Sequence, residues 1–389
     1  MIIYNKTWLA NMRLQAVVKK DLLRGYITAN EFKSITEKYP VGFYTPNLFV
    51  RVGLVILTFI IVSFADGLIS LVFAATGAVE TFGWFFFLGL INYIALELIV
   101  KNNNHFRSGV DDALLFISGC LFATGFVMLL FRLNDTMNYI VLAGIIFLLC
   151  LYLSIRFADM LTSVICCISF FAFIFFGWIR VIPAGLATAP FVMMLVSGGV
   201  YWLSHINSKK EEFINYDNCF VIIQVVSLLT LYAAGNYYVI QTLSSEMATQ
   251  TGPVPFGALF WTWTILLPFV YIASGIQKKD VVLLRTGLLL ITAAALTFRN
   301  YYHVLPVDVT LTIIGAVILG IVYAIMKYLK TPKHGFTSAE TEDGHLMDHL
   351  KIESLIIAET FSQTPQAPAN EGVKFGGGDF GGGGSSGGF

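Results

Sequence analysis

Two patterns of apolar and polar positions divide the chain. Over residues 7–24, Leu9, Met12, Val17 and Leu23 recur imperfectly among Lys19, Lys20 and Arg24, the spacing of a helix with one apolar face. Gly25 suits the left-handed residue that closes a helix. Thr28 with Glu31 three positions on has capping-box spacing, and Pro40 ends the helix that this box starts. The expectation is a helix, a GYIT turn and a second helix to about Lys38, a hairpin domain over residues 1–47.

From residue 48 the polar positions thin out and long apolar runs recur between short polar turns. A helix needs about 20 apolar residues to cross the hydrocarbon of a bilayer. Ten windows meet that demand, near 50–73, 82–100, 112–131, 138–155, 160–178, 185–204, 219–239, 256–275, 281–298 and 308–328. Residues 48–330 are thus predicted to form an all-α polytopic membrane domain of successive hairpins. Residues 331–389 turn polar. HLKIESLIIAETF keeps one short amphipathic pattern, and KFGGGDFGGGGSSGGF can bury no core, so the tail is predicted to be disordered.

The stretch GYITANEF, followed by Tyr39–Pro40 and a first span, resembles the N-terminus of the DUF2157-type family of bacterial multi-span membrane proteins. Its GxITxxEF core is similar to the short helical hairpin called SHOCT. The resemblance covers about 20 residues plus the multi-span plan. It implies a bacterial membrane protein and transfers no catalytic residue. The Gly-rich end likewise resembles the tails of several bacterial membrane proteins.

Composition sharpens this picture. A mean hydropathy of +0.75 with 57% hydrophobic and 12% charged residues excludes a water-soluble globule. The formal charge of zero is unevenly spread, which argues against a nucleic-acid partner. Basic residues crowd one set of turns, from Lys6 to Arg51, then Lys101, Arg107, Arg156, Lys209, Lys210, Lys278, Lys279 and Arg285, and Lys327 after the last span. The opposite turns offer Arg132, Arg180 and Arg299. The positive-inside bias then predicts a plasma (inner) membrane protein with both termini cytoplasmic. No removable signal peptide is expected, so the first span serves as its own insertion signal. Each even-numbered span approaches the basic side through a tyrosine followed by a basic residue, at Tyr93, Tyr152, Tyr201, Tyr271 and Tyr323. That pattern reads either as five related hairpins or as an aromatic belt plus charge bias.

Candidate chemistry is sparse. HExxH, GxSxG, GxGD and GxxxxGK are absent, so no enzyme of a familiar intramembrane kind, cofactor or metal is expected. The five cysteines lie in or at the edge of spans and read as buried packing thiols. Ionisable residues inside the bilayer are costly and therefore become the candidates. Glu97 and Arg285 sit at similar depth and either pair or leave Arg285 to snorkel. Asp66 has Arg132, Arg180 and Arg299 as natural partners, and with Glu80, His303 and Asp308 these form either an outer anion site or solvated loop ends. Pro268 should kink its span, with Thr264 compensating.

Two functions fit. One is a non-enzymatic protein that recruits, assembles or senses a cytoplasmic protein partner through residues 1–45 and 331–389, with the lipid bilayer as its medium. The other is a small-solute or lipid transporter with a polar path past Asp66, Asn92, Glu97, Gln224 and Arg285.

Overall fold

The computed structural model describes residues 2–133, 138–183, 185–247 and 255–302, together with scattered helical positions between 309 and 327. The tenth predicted span, His303, Asp308 and the tail from residue 331 lie outside the described residues as a whole. Within them the chain is all-α. Among the described residues nine helices are long and apolar enough to cross a membrane, and their bounds match the first nine predicted windows closely except at the seventh. The protein is an integral, multi-pass membrane protein.

Two short helices come first, α1 (Lys6–Leu23) and α2 (Ala29–Lys38). The Asn5 side chain accepts from the backbone N–H groups of Thr7 and Trp8 and so starts α1. Gly25 takes φ +75° between the helices, where a β-carbon would be strained. Thr28 and Glu31 form the predicted capping box. Hydrogen bonds from the Thr28 backbone and then its hydroxyl hold the Glu31 carboxyl below the usual carboxylate range.

The membrane domain comes next, as α3 (Leu48–Phe73), α4 (Phe82–Asn102), α5 (Val110–Leu133), α6 (Tyr139–Phe157), α7 (Met160–Val181), α8 (Gly185–Asn207), α9 (Asp217–Gly235), α10 (Tyr237–Met247), α11 (Gly257–Lys278) and α12 (Val281–Tyr302). The dominant packing pairs are α4 with α5, α6 with α7, α8 with α9, and α11 with α12. All four hairpins turn at the end of the bundle where the N-terminus sits, here called the N-terminal face.

Lipid supplies no hydrophobic drive between helices, so close packing and small polar contacts hold such pairs. Ser118, Ser163, Ser197, Ser227 and Thr264 are accordingly fully buried. Ser154 of α6 and Ser163 of α7 share a hydrogen bond of 2.6 Å. Helix α3 is peripheral, with Thr58 its one buried residue and a broad face of Phe64, Leu68, Leu71 and Val72 left to lipid. Among the cysteines, Cys150, Cys167 and Cys219 are buried as expected, whereas Cys120 is exposed on α5, contrary to that expectation.

The seventh window predicts one helix running to 239. Instead α9 ends at Gly235, and Asn236 adopts an extended conformation before α10 begins. Asn236 is buried, and its amide donates to the Tyr232 hydroxyl and to Thr297 Oγ1 at 3.0 and 3.1 Å. Its side-chain carbonyl oxygen accepts from the backbone of Tyr238 and Val239. Thr264 does not serve Pro268 as expected. Its hydroxyl donates to the Phe260 carbonyl and accepts from the Tyr237 N–H, so it stitches α11 to the start of α10.

Candidate functional site

Helices that begin at the N-terminal face do so at an acidic or amide side chain: Asn47 for α3, Asp111 and Asp112 in α5, Asp159 for α7, Asp217 in α9 and Asp280 before α12. Acidic groups suit the exposed N–H groups and positive end of a helix. Asp159 caps α7 through the Thr162 N–H at 2.8 Å. Asp280 accepts from the N–H groups of Val282 and Leu283. None of these aspartates is among the candidates drawn from sequence, although each stands beside the start of an apolar run, which is itself a helix-start signal.

The N-terminal segment lies across this face. The Ile3 N–H donates to the carbonyl of Arg156 at 3.0 Å. Tyr4 is buried with its ring edge-on to Phe106 and Phe43. Trp8 packs edge-on to Phe43 and over Gly42, where an added β-carbon would sit 2.6 Å from the indole. One turn after the buried Leu9, Arg13 donates to Asn215 in the turn between α8 and α9. Burial lowers the Arg13 pKa against the pull of Asp217, yet the group stays cationic from so high a start. From Ile3 to Arg13 the chain therefore straps the first hairpins to the third.

The receiving surface is a tightly built loop over residues 103–109. Tyr44 and His105 form a short parallel bridge, with the Tyr44 N–H donating to the Asn104 carbonyl at 3.0 Å. Asp111 accepts from the N–H groups of Arg107 and Ser108 and from the Ser108 hydroxyl, each at 2.8 Å. Gly109 has φ +96°, and a β-carbon there would collide with the Arg51 carbonyl, so the residue must be glycine. Arg51 pairs with Asp112 at 2.7 Å. Tyr4 closes a water-sized cavity of about 10 Å³ edged by Arg107, Asp111, Asp112 and Asp159. Burial pushes the Tyr4 phenol well above its usual range, and the three aspartates add to this while Arg107 opposes it. The hydroxyl thus stays protonated among carboxylates.

The residues singled out from sequence do not converge. Glu97 pairs with Arg156 of α6 at 2.9 Å and with Lys101 at 2.9 Å, and accepts from the Tyr93 hydroxyl at 2.7 Å. Arg285 stands on α12, which packs against α11 and α9, so the expected Glu97–Arg285 pair is replaced by Glu97–Arg156. Asp66 accepts from the amide of Asn92 on α4, at 3.0 and 3.2 Å, and not from an outer arginine. Arg132 lies over the Phe82 ring at 5.9 Å. Arg180 lines an open pocket with Asn138, Tyr139 and Phe176. Arg299 is in the last turn of α12, and Glu80 ends a short 3₁₀ turn. Gln224 is buried and reaches Ser208 Oγ at 3.4 Å. A further polar cluster adds to the sequence candidates: His205, in the last turn of α8, lies 3.8 Å from Asp280, which also accepts from Tyr201 at 3.4 Å.

Comparison with family profiles, with curated proteins and with solved structures finds no match to this chain.

Proposed function

We propose that this protein is a non-enzymatic recruiting or assembly protein of a bacterial plasma membrane, with its N-terminal face in the cytoplasm, that holds the α1–α2 hairpin out to a protein partner. One observation carries the reading. The hairpin is strapped to the bundle through Ile3, Tyr4, Leu9 and Arg13, while α2 buries no residue and Leu23 and Tyr26 are 79% and 75% exposed. A segment meant only to solubilise would need no such anchorage. Leu23 and Tyr26 thus offer a partner two apolar side chains on a fixed support. The cytoplasmic assignment rests on the excess of Lys and Arg in the turns of this face. The resemblance to the DUF2157-type family belongs to the same proposal.

The test is purification in mild detergent of the full chain, of a form lacking residues 1–45 and of a Leu23→Asp/Tyr26→Asp variant. A stoichiometric companion lost from both altered forms is the expected result. A protein that emerges alone in every form overturns the reading.

Transport is the second reading, favoured by the Asp66–Asn92 contact inside the spans of α3 and α4. Its path would have to pass Glu97, whose carboxylate is already engaged by Arg156, Lys101 and Tyr93. Unchanged solute uptake in an Asp66→Asn variant would end it.

A further inference from the structure

The α6–α7 hairpin turns at the N-terminal face, so the start of α6 and the end of α7 stand together at the opposite end of the bundle. There the two helices leave an open pocket of about 290 Å³. Asn138, Tyr139 and Ile140 line it from the α6 side, and Phe176, Ile179 and Arg180 from α7. The volume is at the small end of ligand pockets, room for a molecule with a single ring and too little for a whole phospholipid.

The walls are of two kinds. Ile140, Phe176 and Ile179 are apolar, and the Tyr139 and Phe176 rings stack with centroids 5.6 Å apart and 28° between their planes. The polar groups have donors to spare. Asn138 commits its side-chain carbonyl oxygen to the Val141 N–H at 3.4 Å, which leaves its amide N–H groups to donate. Tyr139 is exposed and brings a phenol. Arg180 brings a permanent positive charge, and among the described residues neither a hydrogen bond nor an ion pair engages it. None of the described lining residues is acidic.

An arginine that only snorkels to the headgroup layer needs no cavity beside it. Here the guanidinium lines an apolar recess, and its planar fork of N–H groups matches the two oxygens of a carboxylate. One cation balances a monoanion. A flat ring carried by that anion would meet the aromatic pair and the two isoleucines.

We propose that this pocket binds a small aromatic monocarboxylate from the side of the membrane opposite the hairpin, its carboxylate on Arg180 and Asn138 and its ring against Tyr139 and Phe176. Binding here does not depend on whether the hairpin recruits a protein.

Saturation-transfer NMR of the full chain in a nonionic detergent reads the contact directly, with phenylpropionate as probe and phenylpropionamide as its neutral counterpart. Transfer to the ring protons of phenylpropionate is expected. Affinity should fall about tenfold for the amide, and about tenfold for the acid in Arg180→Gln, the worth of one hydrogen-bonded charge. Arg180→Lys keeps the charge without the fork and should weaken binding by less. Ile140→Trp should abolish binding by filling the recess. No transfer, equal affinity for acid and amide, or acid binding untouched by Arg180→Gln overturns the proposal. So does displacement of the probe by an equal concentration of phosphatidylglycerol, which would mark a lipid-headgroup site instead.

Discussion

Tyr4 shows how a single phenol sets the behaviour of the strap. Its neutral form is favoured when docked, because burial and the carboxylates of Asp111, Asp112 and Asp159 all resist ionisation. Docking is therefore at full strength below the ordinary tyrosine pKa of about 10 and is lost as pH rises above it, since the undocked arm ionises first. Protection from hydrogen exchange at residues 2–9, taken relative to the base-catalysed intrinsic rate, should fall above about pH 10 in the wild type, and Tyr4→Phe should remove most of that fall. At Glu97, loss of the carboxylate leaves Arg156 and Lys101 facing each other. Glu97→Gln should cost about 1–3 kcal/mol in thermal or denaturant unfolding, less than a fully buried pair because the side chains are partly exposed. A Glu97→Arg/Arg156→Glu exchange should recover part of it, whereas Glu97→Gln and Arg285→Gln should add independently.

At the level of helices, hydropathy makes nine spans and the capped hairpin readable, since a bilayer dictates helix length and Thr28–Glu31 marks a start whatever surrounds it. The break at Gly235–Asn236 is not readable. It depends on Trp263 and Met194 packing against Gly235, Thr297 meeting Asn236 and Thr264 meeting Tyr237, all from other helices, and apolar periodicity carries no record of such neighbours. The same limit hides the partner of Glu97: depth along a helix can be read from sequence, but which helices stand side by side cannot. Asn236→Leu should therefore cost about 2–4 kcal/mol, by leaving the Tyr238 and Val239 N–H groups and the Thr297 hydroxyl without their partner. Differential scanning in detergent would show it as a lowered transition, with Thr264→Val giving a smaller drop.

Across the molecule, the N-terminal face concentrates the helix-start aspartates, the tyrosine-linked ion pairs and the strapped hairpin, while Arg132, Arg180 and Arg299 stay dispersed. That asymmetry favours this face as the working surface. A cysteine placed at position 26 should react with a membrane-impermeant maleimide in inverted vesicles, whose outer surface is cytoplasmic, and stay unlabelled in intact cells; labelling in intact cells would reverse the topology. Recruitment itself is tested by replacing Tyr26 with a photoreactive residue and illuminating intact membranes. One discrete protein adduct, abolished by Leu23→Asp, is expected. Adducts with lipid alone, or none, would refute the recruiting role.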